Sequence, residues 1–299
     1  MTAQEIIKYM ESLQNEEQRE ILMQFFKTGP GEYGFGDEFL GLKVPQTREV
    51  VRLAGQGFPM TEIPELLMNR WHEVRLCGFL ILVSKFEKQA TKRLEHNPDA
   101  ITKRDEIVQM YLQYAEQANN WDLVDLSVHK ILGHWLLLPS NLGDKNYKLK
   151  VLDDLAASPC LWKQRMSIVC SWKTSQQGDP MWCLRYAEIH LNHLMHKAAI
   201  KREQGQASLS HAEREQARLL AKAVGWMLRE MGKIAIKREK SDARISSSER
   251  EQTQPEVKCV GMELLREFLR QHAHEMPRTM LRYAIEKMPE RERQEWMKQ

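Results

Sequence analysis

The sequence predicts an all-α protein, an α-solenoid of stacked antiparallel helix pairs of the HEAT-like kind, on three observations. Apolar residues recur at helical spacing along most of the 299-residue chain. The alternation of β-branched residues that marks half-buried strands is almost absent. The helices come two at a time with a short turn between pairs, at roughly the 40-residue period of HEAT-like repeats.

Ala3 to Phe26, with Ile6, Ile7, Met10, Leu13, Ile21, Leu22 and Phe25, reads as one or two helices. Phe25 to Pro45 interrupts the pattern with Gly29, Gly31, Gly34, Gly36 and Gly41. The first three satisfy the G-x-G-x-x-G spacing of a dinucleotide loop, but that loop needs a strand before it and a helix directly after. Here a helical pattern precedes and D-E-F-L-G-L-K-V follows, so the glycines are read as letting the chain reverse closely against a neighbouring helix. Pro45 fits the first turn of a helix over Gln46 to Ala54, where its missing N–H costs no bond. Thr61 to Asn69 and Trp71 to Phe86 form the next pair, with L-C-G-F-L-I-L-V as its buried face. After a polar run that ends at Pro98, Ile101 to Gln117 and Trp121 to Leu137 form another, and Tyr147 to Ala157 with Leu161 to Ser175 a further one.

Met181 to Leu194 is a helix carrying His190, His193 and His196 at steps of three. Successive steps of three rotate around a helix and do not bring three histidines onto one tetrahedral ion, so solvated histidines are expected and no metal. Ala221 to Met231 gathers Val224, Met227, Leu228 and Met231 on one side. Trp226 projects from the other, with Lys222, Arg229 and Lys233 within about 60° of it. Either a neighbouring repeat covers that ring, or it is an aromatic contact flanked by phosphate-binding cations, the reading preferred here. Met262 to His272 and Pro277 to Lys287 close the array, with Arg278 and Arg282 on one face. The whole chain, 1–299, is read as a single domain with polar insertions near 197–218 and 236–257, which offer no apolar face to offset the entropy of ordering.

Composition narrows the function classes. With 42% hydrophobic and 28% charged residues, and no apolar run long enough to span a bilayer, a soluble protein acting away from the membrane is expected. The N-terminus lacks a signal-peptide layout, which places the protein in the cytoplasm. Five cysteines without a C-x-x-C pair argue against a disulfide framework and a zinc ribbon. A net charge of +3 does not announce nucleic-acid binding, so any DNA-binding surface must come from local arrangement of the Lys and Arg residues.

The stretch Ala118 to His129, A-N-N-W-D-L-V-D-L-S-V-H, sets a tryptophan and two carboxylates at the start of a helix. Asn119 or Asn120 caps it, and Asp122 falls in the first turn, where an anion is favoured by the helix dipole. Asp125, four residues after Trp121, shares its face. A carboxylate beside an indole is a place to hold a cationic or cation-developing ligand. Farther along, Arg165 interrupts the apolar stripe of Leu161, Ile168 and Trp172, so it either forms a buried salt bridge, to Asp125 or Asp153, or meets a ligand.

N-N-W-D-L-V-D resembles the AlkD-like family of DNA alkylation repair glycosylases. The segments Phe25 to Pro45, L-W-K-Q-R (Leu161 to Arg165), K-A-V-G-W-M-L-R-E-M-G-K (Lys222 to Lys233) and Met276 to Lys287 resemble its motifs in the same order. The resemblance implies a HEAT-like fold and a monomer that acts on double-stranded DNA without a cofactor, excising alkylated purines in base excision repair. By the same likeness Asp125, Trp121 and Trp226 are the catalytic residues, and Arg165 contacts the DNA backbone near the lesion; Lys222, Arg229 and Lys233 are further DNA contacts on the helix-face reading alone. The insertions depart from the family's usual pattern, which is shorter on both sides of K-A-V-G-W.

An N3- or N7-alkylated purine is a cation and leaves as a neutral base, so no general acid is needed. What remains is to stabilise an oxocarbenium-like sugar and deliver water, which an ionised carboxylate does. The rival reading is a non-catalytic HEAT-repeat DNA-binding or scaffold protein.

Overall fold

The computed structural model describes residues 1–203, 209–242 and 260–299. Among the described residues the regular structure is helical, and the only extended pairing is an isolated bridge between Glu38 and Trp71. The described residues divide into two compact units, 1–166 with 211–215, and 167–210 with 216–299.

The first unit opens with α1 (Ala3–Ser12) and α2 (Glu16–Phe25). Thr2 and Glu5 form a reciprocal capping box on α1, and the Asn15 side chain caps α2. The glycine-rich segment then turns tightly around α2. A Cβ on Gly34 would sit 2.4 Å from the Phe26 carbonyl oxygen, and one on Gly41, whose φ is +87°, would sit 2.1 Å from the Asn15 carbonyl oxygen. Only glycine lets the backbone pass both ends of the helix this closely. Helix α3 (Val44–Ala54) follows with Pro45 in its first turn, then α4 (Ile63–Leu67) and α5 (His72–Gln89).

Helix α5 is the axis of this unit. It packs against α3, α4, α6 (Pro98–Gln113), α7 (Trp121–Asp125) and α8 (Val128–Trp135), which is why its sequence is apolar on every side rather than along one stripe. Pro98 begins α6 behind an Asn97 cap instead of ending a polar run. The single helix expected over Trp121 to Leu137 is broken after Asp125. The Ser127 hydroxyl donates to the Leu123 carbonyl at 2.5 Å and meets the Tyr111 hydroxyl at 2.9 Å, a local alternative to the regular ladder. Lys148, on α9 (Lys145–Ala157), donates to the Trp135 and Leu138 carbonyls and so stops α8 at its C-terminal end. Helix α10 (Leu161–Val169) carries Arg165.

The second unit contains α11 (Ser171–Gln176), α12 (Met181–Glu203), most of α13 (His211–Asp242), α14 (Val260–His272), α15 (Arg278–Ile285) and α16 (Glu290–Trp296). Val224, Met227, Leu228 and Met231 are buried, as the spacing required. His190 is not solvated: it is fully buried, its Nε2 2.7 Å from the Ser167 hydroxyl, while His193 and His196 are exposed. The polar segment 197–218 is helical on both sides of 204–208, which lie outside the described residues, as does 236–257 beyond Asp242. No described helix is long and apolar enough to cross a membrane.

Candidate active site

Helix α7 is only five residues long, so it is held by its surroundings more than by its own hydrogen bonds. Asn120 caps it, with its side-chain oxygen 2.8 Å from the Trp121 N–H, and Asn119 turns instead to accept from Arg75 at 3.0 Å. The half-buried Trp121 indole stacks on Phe26, ring centres 5.2 Å apart, and meets Phe25 edge-on at 5.7 Å. Phe25 itself is 61% exposed, so this aromatic cluster reaches the surface. Tyr33 lies against it; burial raises its phenol, and a hydrogen bond from Trp121 works the other way.

Asp125 is gripped by Arg165 through two parallel hydrogen bonds, Nε to Oδ1 at 2.8 Å and Nη2 to Oδ2 at 2.7 Å. The two side chains are 14% and 7% exposed, respectively, so of the two fates open to Arg165 the structure shows the buried salt bridge, and its partner is Asp125. Burial pushes the Asp125 carboxyl above the ordinary carboxylate range; the Arg165 charge and hydrogen bonds oppose that rise, and the neighbouring Asp122 adds to it.

Asp122 does more than meet the helix dipole. Its carboxylate oxygen lies 2.9 Å from Nε2 of His72, and the other ring nitrogen, Nδ1, lies 2.7 Å from Asp37. All three side chains are buried. Arg75 closes the chain by donating to Asp37 and to the carbonyls of Asn69 and Arg70. Burial alone would favour neutral groups. The paired charges outweigh it, so Asp37 lies below the ordinary carboxylate range and His72 is raised to about 9. Next to them, Glu73 accepts from the backbone N–H groups of Leu40, Gly41 and Leu42 at 2.9, 2.9 and 3.0 Å. The start of α5 thus fastens the glycine-rich loop on one side and α7 on the other.

The sequence reading passed over Asp37, His72, Glu73 and Arg75. A signal for them was present: a histidine and two charged residues, W-H-E-V-R, open a helix that is otherwise apolar all round, and buried charges require partners.

The remaining residues singled out from the sequence lie in the second unit. Trp226 is half-buried, its ring 5.5 Å from that of Trp172. Lys222 is half-buried as well. Arg229 donates to Glu230 and to Glu286, and Lys233 to Glu230 at 2.8 Å, so these cations sit in a locally balanced cluster. Hydrogen bonds from Lys287 and Arg229 hold the Glu286 carboxyl down at about 2.

Among curated proteins and solved structures no match to the chain is found. The family model described as DNA alkylation repair enzyme matches residues 6–241, from α1 through α7 and α10 to the end of α13. With that match spanning most of the chain, the protein belongs to the DNA alkylation repair enzyme family.

Proposed function

We propose that the protein is a DNA N-glycosylase that releases positively charged purines, of the 3-methyladenine and 7-methylguanine type, from double-stranded DNA. The observation that carries this reading is the Asp125 carboxylate, fixed in orientation by Arg165 and placed one helical turn from the Trp121 indole, whose aromatic cluster reaches the surface at Phe25.

As the glycosidic bond breaks, positive charge moves from the base to the sugar. A carboxylate about 4 Å away stabilises it by up to ~4 kcal/mol at an effective dielectric of about 20, and Arg165, at roughly twice that distance, takes back about half. The net ~2 kcal/mol is between one and two powers of ten in rate. Trp121 adds roughly 0.5 to 2 kcal/mol of cation–π attraction and excludes water from one side. Asp125 also orients the attacking water. The leaving base departs neutral, so no acid is required, and uracil, whose departure needs such help, is not a substrate. Trp226, Lys222, Arg229 and Lys233 are proposed as separate contacts to the DNA.

Incubating the protein with methylated duplex DNA and assaying released bases tests the proposal. Release of 7-methylguanine or 3-methyladenine without release of uracil is expected. Binding without any release supports the non-catalytic DNA-binding reading instead.

A further inference from the structure

His72 has a carboxylate on each ring nitrogen: Asp37 from the glycine-rich loop on Nδ1 and Asp122 from α7 on Nε2. A neutral ring has one N–H, and its bare nitrogen would then face a carboxylate oxygen within 2.9 Å, lone pair against lone pair. With both carboxyls ionised, only the doubly protonated ring satisfies both contacts. The ring is also fixed in plane, stacked on Phe39 with centres 4.4 Å apart and set against Phe26 at 5.1 Å, the same Phe26 that stacks on Trp121.

We propose that His72 is a positioning residue for Trp121 and Asp125, an imidazolium clamped between Asp37 and Asp122 that ties the glycine-rich loop to the short helix carrying both. The proposal rests on the glycosylase reading for its kinetic consequence. Two routes connect His72 to the reacting centre. One is mechanical, through Phe26 to the Trp121 ring and through Asp122 to the first turn of α7. The other is electrostatic. The charged groups facing His72 are Asp37 and Asp122, with Arg75 on the far side of Asp37; those facing Asp125 are Arg165 and Asp122. His72 compensates Asp122, so removing it leaves an unbalanced anion beside Asp125 and disfavours the charged form of Asp125 that the reaction uses.

The test follows the full chain by NMR and by kinetics. Nitrogen-15 shifts of His72 report its ring protons, and carbon-13 labelling of aspartate carboxyls, with Asp125 assigned through Asp125→Asn, reports its titration without any turnover. The expected results are a doubly protonated His72 ring at pH 7 and an Asp125 midpoint raised by about one pH unit in His72→Gln. The same variant should lose about ten- to a hundredfold in kcat on 7-methylguanine DNA with KM nearly unchanged. Adding Asp122→Asn to His72→Gln should bring the Asp125 midpoint back down. A His72 ring that is neutral at pH 7, an Asp125 midpoint indifferent to His72→Gln, or an unchanged kcat in that variant overturns the proposal, whatever happens to stability. If His72→Gln does not fold, the ring protonation of the wild type decides. Wild-type protein that releases no base counts against the glycosylase reading alone, since the two NMR readouts stand apart from activity.

Discussion

Arg165 and Asp125 meet fork to fork, two hydrogen bonds of 2.8 and 2.7 Å joining α10 to the end of α7. The planar guanidinium fixes the carboxylate in one rotation, which a single point contact from lysine would not do. This pair converts a residue on a five-residue helix into a rigid group, and the charge that orients Asp125 also weakens its field. Rate is therefore expected to respond to both partners.

Asp125→Asn keeps the shape and removes the charge. Release of 7-methylguanine should slow by between one and three powers of ten, with DNA affinity near the wild-type value. Because Arg165 then faces a neutral amide, a stability loss of roughly 1 to 3 kcal/mol should accompany it, measured by denaturant unfolding. Full activity in this variant rejects the mechanism.

Burial raises the Asp125 carboxyl, and the working form is the anion. Activity should therefore be present at neutral pH and fall as pH drops through a midpoint above the ordinary aspartate value of about 3.9. Arg165→Met removes the opposing charge, so its acid limb should move to still higher pH. A pH–rate profile with no acid limb, or one shifted downward in Arg165→Met, contradicts this.

His72 carries a folded value of about 9 against an ordinary 6.5, so its contribution to stability is fully present below pH 6.5 and is lost as pH rises through 9. The rise corresponds to at most roughly 3 kcal/mol. Melting temperature should decline between these limits in the wild type and decline less in His72→Gln. Asp122→Asn should cost about 1 to 3 kcal/mol, more than the few tenths to 1 kcal/mol of a helix-dipole role alone.

Glu73 binds three backbone N–H groups of the glycine-rich loop. Glu73→Gln turns one oxygen into a donor that faces donors, so roughly 1 to 3 kcal/mol should be lost and amide exchange at Leu40 to Leu42 should accelerate. Unchanged exchange there would mean that the loop is held by other contacts.

Binding to DNA should weaken with salt and depend little on sequence. If Lys233 exchanges Glu230 for a phosphate, Lys233→Ala should lower the salt slope by about 0.9 and leave lesion preference unchanged. A slope identical to the wild type would assign Lys233 to the ion-pair cluster alone.

The sequence by itself determined the all-α class, the helix pairs, the tight glycine-rich turn and the buried face of Ala221 to Met231, because these follow from local periodicity and backbone sterics. It also narrowed Arg165 to an ion pair or a ligand, since an arginine in an apolar stripe has few other fates. Only the tertiary structure decided which carboxylate that arginine takes, that the helix breaks after Asp125 around Ser127, and that His190 is buried on Ser167. The largest difference lies at Asp37, His72 and Asp122, spaced 35 and 50 residues apart in the chain. Their charges are stable in the interior only when all of them meet, and no local pattern records that meeting; it exists because α5 packs against the loop before it and against α7 after it.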